Sequence, residues 1–193
     1  MACKVLWAMP PILWFFALGC GYTFQEAHFI EGAKFRRTIR SPLHDNHDLD
    51  EGKATMVILS DQVKGSNIVA GNTVKLGFEL QKYEVGVPIR LPSDSVVVRF
   101  SDLDGIPVKG GAFADSARGT VVILQKTDTN LTIQFDLACR TVRIEKGGAG
   151  EGEDVDLDGV YECTRLTNNL NQLLPYYGGR QGIYTDDAPD RRE

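Results

Sequence analysis

From residue 55 to residue 166 the apolar positions recur with a period of two. Residues 72–83 place Val74, Leu76, Phe78 and Leu80 on one parity and Lys75, Glu79 and Gln81 on the other. Successive side chains of a strand point to opposite faces, whereas a helix would repeat its apolar positions every three or four residues, so this segment reads as a half-buried β-strand. Residues 131–142 repeat the pattern, with Leu131, Ile133, Phe135, Leu137 and Cys139 together against Thr132, Gln134 and Asp136. Residues 155–166 do the same with Val155, Leu157, Gly159, Tyr161 and Cys163. Shorter apolar runs at 55–59, 87–91, 95–100, 106–109 and 120–126 predict further strands. The intervening Pro92-Ser93-Asp94, Asp104-Gly105, Gly110-Gly111 and residues 127–130 have the chemistry of turns. No long amphipathic helix competes; residues 168–174 have room for one helical turn, stopped by Pro175.

Seven or eight short strands with close turns predict an all-β fold, an antiparallel β-sandwich with a β-barrel as the alternative closure. The predicted domain covers residues 54–184, and the polar tail 185–193 is expected to be disordered. Residues 20–53 are irregular, with a basic cluster at Arg36, Arg37 and Arg40 and a polar run at 44–51, and read as a tether with room for one early strand at 22–35. The whole chain has 193 residues, 42% hydrophobic and 24% charged, the balance of one globular domain with an adequate core. A net charge of −5 argues against a nucleic-acid partner held by neutralising phosphates.

The N-terminus changes the picture. Lys4 precedes an uncharged apolar stretch at 5–19 that ends at Cys20, the layout of an export signal. Fifteen residues fall short of the roughly 20 that span a bilayer as a helix, and Pro10-Pro11 would break one. A retained membrane anchor is the alternative, since no further charge occurs before Glu26. The exit Ala17-Leu18-Gly19-Cys20 resembles the lipobox of bacterial lipoprotein precursors, although Ala17 and Leu18 stand where that family more often has Leu and then a small residue. The resemblance covers residues 1–20 and implies cleavage before Cys20, with lipid of the palmitate type on that cysteine. Ala17 and Gly19 also satisfy ordinary signal cleavage, which makes the same cut without lipid. Gly21 in place of an aspartate points, by the same resemblance, to the outer membrane of a bacterial cell envelope, and several acyl chains would make the attachment durable.

Cys3 leaves with the signal and Cys20 is taken by lipid, so Cys139 and Cys163 remain. Both lie on core parity in an exported chain, and a disulfide between them is expected; closing a loop of 24 residues would stabilise by about 3 kcal/mol on the chain-entropy model. Two buried free thiols are the alternative.

Candidate chemistry is sparse. Asp154-Val155-Asp156-Leu157-Asp158-Gly159 matches the start of a calcium loop, in which alternating carboxylates wrap one cation, but Arg165 stands where that loop needs its bidentate glutamate. Calcium on Asp154, Asp156 and Asp158 requires a loop there; in a strand the three would be roughly 6.6 Å apart along the chain and would form a solvated acidic face. His44 and His47, among Asp45, Asp48, Asp50 and Glu51, are ligand types without the rigid support that metal sites need. Asp102, Asp104 and Asp115 could serve a hydrolase only if they converge in a cleft. Nucleophile-elbow, zinc-protease, P-loop and dinucleotide signatures are absent from the sequence. The glycines at 147–150 read as a surface loop. Tyr176 and Tyr177 with Arg180 form a polar-aromatic patch suited to a sugar or a protein partner, or to covering the end of a sandwich. These features predict a non-catalytic, lipid-anchored envelope protein that acts as an interaction or assembly partner. The alternative is a carbohydrate or small-ligand module assisted by calcium.

Overall fold

The computed structural model describes residues 22–37, 49–61, 73–104, 110–145 and 148–166. Within them the chain forms β1 (Glu26–Phe35), β2 (Leu49–Ser60), β3 (Thr73–Leu80), β4 (Ile89–Leu91), β5 (Val96–Asp104) and β6 (Gly110–Ala114). These are followed by β7 (Arg118–Lys126), β8 (Asn130–Arg140), β9 (Val142–Glu145), β10 (Gly148–Gly150) and β11 (Asp154–Arg165). All belong to one sheet in the order β10-β9-β6-β5-β3-β2-β1-β11-β8-β7-β4. Its pairings are antiparallel except that of β1 with β11.

The sheet folds over at the β1–β11 pairing. Phe78 on β3 and Phe135 on β8 are separated in sheet order by three strands, yet their ring centroids are 5.3 Å apart. A flat sheet would hold them several strand spacings of about 4.8 Å apart. The β5-β3-β2 half therefore faces the β11-β8-β7 half. Between them lie Leu59, Leu76, Phe78, Val98 and Phe100 from the first, and Ile123, Leu131, Ile133, Phe135 and Leu157 from the second. This is an open all-β sandwich ending in β10 and β4, not a closed barrel. The alternation of β8 is realised residue by residue: Leu131, Ile133, Phe135, Leu137 and Cys139 are buried, and Gln134, Asp136, Ala138 and Arg140 are exposed.

The predicted strand at 131–142 divides. At Thr141 the chain leaves β8, in one half, to become β9, which pairs with β6 in the other. It returns through β10 to β11. Strands that switch layers need a corner. Here Thr141, buried, donates its N–H and its hydroxyl to the Glu153 carbonyl at 2.9 and 2.8 Å and accepts the Glu153 N–H at 3.0 Å. The Gly110-Gly111 pair, expected as a turn, opens β6 instead. Gly111 runs between two neighbouring strands so closely that a Cβ would lie 2.5 Å from the Asp102 carbonyl oxygen. The predicted strand at 106–109 and the helical turn at 168–174 lie outside the described residues.

Two expectations are corrected. The early strand allowed at 22–35 is present as β1, but the segment is no tether there: β1 sits inside the sheet between β2 and β11, and residues 49–53 open β2. Gly32, at φ +75°, carries a bulge in β1 that interrupts the alternation a strand would otherwise show. β3 is also buried on both faces, with Lys75 and Glu79 at 6% and 1% exposure. The outer side of this half carries a second apolar cluster of Ile30, Ala33, Phe35, Met56 and Ile58, with Leu49, Val97 and Leu166 packed against it. Beyond β1 the chain passes over β2, so that the Phe35 N–H and Arg37 reach Glu79 at 2.9 and 2.6 Å, and Arg99 of β5 donates to the Arg36 carbonyl at 3.0 Å.

The corner should respond to a change that keeps its shape. Replacing Thr141 with Val removes the hydroxyl while preserving volume, and is expected to cost about 1–3 kcal/mol in urea unfolding. Thr141→Ser should retain most of the stability.

Candidate functional site

Cys20, His44, His47, Tyr176, Tyr177 and Arg180 lie outside the described residues. His28 lies on β1, half-buried, with Nε2 3.5 Å from a Glu26 carboxylate oxygen.

The expected Cys139–Cys163 disulfide is not formed; both thiols are free and buried. The parity argument is right about the face, because each side chain points into the core. Register decides against the bond. Cys139 pairs with Val155 and Cys163 with Leu131, an offset of eight residues along the same β8–β11 ladder. At about 3.3 Å per residue the two are roughly 26 Å apart, against the 7 Å limit of a disulfide. Burial pushes Cys139 up to about 11, with Asp156 adding to it, and Cys163 up to about 12, with Glu162 adding to it. Both are therefore protonated and unreactive at neutral pH.

Asp154, Asp156 and Asp158 are not on a loop. They lie on extended β11, exposed, opposite Arg140, Ala138 and Asp136. Among the described residues, no three His, Cys, Asp or Glu side chains converge as a metal would require. With Asp136 and Glu162 they make an acidic strip on the outer face of β8–β11, in which Val160 is 58% exposed. Asp102 and Asp115 do not converge either. Asp102 lies on the parity of Phe100 and accepts the Tyr22 hydroxyl at 2.9 Å. Asp115 is exposed beyond β6, where its charge acts on Arg99, a residue of the opposite parity. The side chain of Asp104 is outside the described set.

Two polar constellations stand at opposite ends of the sandwich. At the base, Tyr22 bonds Asp102 and packs edge-on against Phe100 with centroids 5.2 Å apart. Burial first, and then this bond to a carboxylate, push the Tyr22 phenol up to about 12. Asp61 stands near Asp102 and accepts the Val74 N–H at 2.7 Å; burial, above all, raises its carboxyl.

At the distal end, Glu31, Thr55, Tyr83 and Lys126 meet from four separate segments. Lys126 Nζ lies 2.5 Å from a Glu31 oxygen and donates to the Tyr83 hydroxyl at 2.6 Å, while the Thr55 hydroxyl donates to the other Glu31 oxygen at 2.7 Å. Burial alone would raise Glu31, but the bonds from Lys126 and Thr55 outweigh it and hold the carboxyl below its ordinary value. Burial alone would lower Lys126, but Glu31 and Tyr83 hold the ammonium above its ordinary value. A carboxylate kept ionised and an ammonium kept protonated are poor proton donor and poor nucleophile, respectively, near neutrality. What the group does is tie β1 and β2 of one half to β7 of the other. Sequence reading missed it because nothing local links the four positions.

Beside this end, the Gly86 N–H donates to the Ile123 carbonyl at 2.8 Å and brings the segment carrying Val85 and Val87 alongside Leu124. All three are exposed. No family model, no curated protein and no solved structure matches the chain.

Two outcomes follow from these protonation states. In the folded protein neither Cys139 nor Cys163 should react with maleimide at pH 7, and both should react in denaturant without reductant; a native label on either would contradict their burial, and failure to label in denaturant would contradict the register. Lys126→Met should lower stability by about 1 kcal/mol, a figure already reduced for the partial exposure of the pair. The Glu31 contribution is present above the ordinary carboxylate value of 4.5 and fades as pH falls through the lowered one. The Lys126 contribution is full below 10.5 and is lost as pH rises through the raised value. Denaturation midpoints of wild type and variant should therefore converge at both extremes of pH and differ most between them.

Proposed function

We propose that this chain is an exported, lipid-anchored protein of the bacterial envelope, of the outer membrane in particular, that works as a non-catalytic interaction or assembly partner. The observation that carries the reading is how near the packed residues of the described fold lie to the expected cut. Tyr22 and Phe24 are already docked on the core, two and four residues after the cysteine of the lipobox-like exit. A precursor cut before Cys20 would thus lose the apolar leader and keep every residue that packs in the described fold. The non-catalytic part of the reading rests on the Glu31–Lys126 group, which is a clamp in its protonation state, and on the separation of Asp102 from Asp115. For contact with a partner protein the molecule offers Val85, Val87 and Leu124 at the distal end, three exposed apolar side chains brought together there.

Intact mass of the membrane-extracted protein tests this. The expected species begins at Cys20, carries acyl mass, loses that mass in Cys20→Ala, and shows no 2 Da gain on reduction. An unmodified mass starting at Cys20, or one that retains Met1, would overturn the anchor.

A further inference from the structure

The structure also assigns an orientation, and we propose that the base of the sandwich is a membrane-facing surface. The end bearing Tyr22, Asp61, Asp102 and Glu153 lies against the lipid headgroups, and the β7–β8 turn at Asp128 points away from them. This rests on the lipid-anchor reading and says what that anchor does to the fold.

Reach sets this attitude. Two residues extend at most about 7 Å, so an acylated Cys20 cannot lie farther than that from Tyr22 along the chain. Tyr22 is not free to swing. Its hydroxyl is bonded to Asp102 on β5 and its ring is packed on Phe100. Phe24 next to it is buried, with its ring 5.6 Å from that of Tyr161, whose side chain is bonded to the Phe24 backbone. The Gln25 N–H then donates to the Ser60 carbonyl at 2.9 Å, where β1 begins. Three of the four positions before β1, Tyr22, Phe24 and Gln25, are thus fastened to the base.

The distal end is much farther away. β8 runs from Asn130 at one end to Arg140 at the other, and its eleven residues rise roughly 33 Å. A tether of some thirty residues would have let the domain take any attitude above the bilayer. A two-residue link holds one end down and leaves the other a full strand length out.

Charge does not supply the contact. Asp61, Asp102 and Glu153 stand at the base, with Lys75 acting on Asp61, and the exposed Arg140, at the end of β8, and Arg143, on β9 two strands from Asp102, bring positive charge to the same end. A surface that mixes both signs has no single-sign field to hold it against anionic headgroups. The attitude therefore follows from the link, and it should not depend on ionic strength.

The experiment uses the full acylated protein in vesicles of phosphatidylethanolamine and phosphatidylglycerol doped with a nickel-chelating lipid. Single nitroxide labels are placed at Glu151→Cys, beside the base corner, and at Asp128→Cys in the distal turn; the buried Cys139 and Cys163 stay unlabelled. Relaxation by headgroup nickel should be several-fold stronger at 151 than at 128, unchanged by salt. A flexible Gly-Ser insert of about twenty residues between Gly21 and Tyr22 should abolish that difference while the fold, read by circular dichroism, is kept. Equal relaxation at the two positions, stronger relaxation at 128, or an insert without effect would overturn the orientation. Mass spectrometry of the same samples separates the two failures. Absent acyl mass overturns the anchor and the orientation with it, whereas an acylated protein with equal relaxation overturns the orientation alone.

Discussion

The parallel contact between β1 and β11 is the constraint on which the rest of the structure depends. It joins the first described strand to the last, through His28 with Thr164, Phe29 with Arg165 and the Leu166 N–H to the Phe29 carbonyl at 2.9 Å. Without it the two halves would be separate sheets with no common edge. With it they are one sheet folded on itself, and Phe78 can meet Phe135. Because this contact spans nearly the whole domain in sequence, its loop-closure entropy is offset only when most of the apolar burial is in place, which is the condition for slow, cooperative folding. The clamp of Glu31, Thr55, Tyr83 and Lys126 and the corner at Thr141 make the same connection at other points. The clamp ties one half to the other through residues far apart in the chain, and the corner does so through the chain itself as it passes from β8 to β9.

The outer face of β2 and β3 shows how a second layer is organised around charge. Glu79 is buried, yet its two oxygens accept from the Phe35 N–H, Arg37 and Gln81. Arg99 stacks over the Phe35 ring with its guanidinium carbon 4.4 Å from the centroid and bonds the Arg36 carbonyl. A buried carboxylate with this many donors offsets its desolvation, while one stripped of them would be left uncompensated at a cost of several kcal/mol. The geometry ties the exit of β1 to two strands it does not pair with. The path of the chain across β2 is thereby set by hydrogen bonds, and the apolar cluster of Phe35, Met56 and Ile58 is held under it.

Period-two alternation made most of the sheet legible, because β8 and β11 turn their apolar residues inward and their polar ones outward in a regular pattern, and β3 alternates in sequence although the fold covers both its faces. It was silent where that regularity fails. β1 is interrupted by the Gly32 bulge and the first part of β2, residues 49–53, is largely polar and not fully buried, so the segment before residue 54 looked irregular although β1 fills the middle of the sheet. The glycines of β6 and β10 resemble turn chemistry, but Gly111 is required by close backbone approach inside the sheet. The cysteines mark the boundary of what parity can say. Parity gives the face, since Cys139 and Cys163 both point inward, but only register gives distance, and register comes from long-range pairing that a local pattern does not contain. The Asp154–Asp158 motif failed for a related reason: alternating aspartates suit an exposed strand as well as they suit a calcium loop.

Both termini of the described fold are fastened, and they leave from opposite ends. Tyr22 departs at the base beside Asp102, and Leu166 departs at the distal end against the second apolar cluster. A protein held near Tyr22 would transmit a pull from its anchor into β5 through Asp102 and into β2 through Ser60, strands at the centre of the first half. The load would thus be shared across adjacent ladders with many hydrogen bonds acting together. By contrast, β4 and β10, each three residues long, are at the ends of the sheet and carry no part of that path. The element nearest the proposed anchor is thus among the best supported, and the exposed apolar residues Val85, Val87 and Leu124 lie at the other end, adjoining the edge strand. A domain held as proposed would carry its attachment on paired strands and would leave its short edge strand β4 off the loaded path.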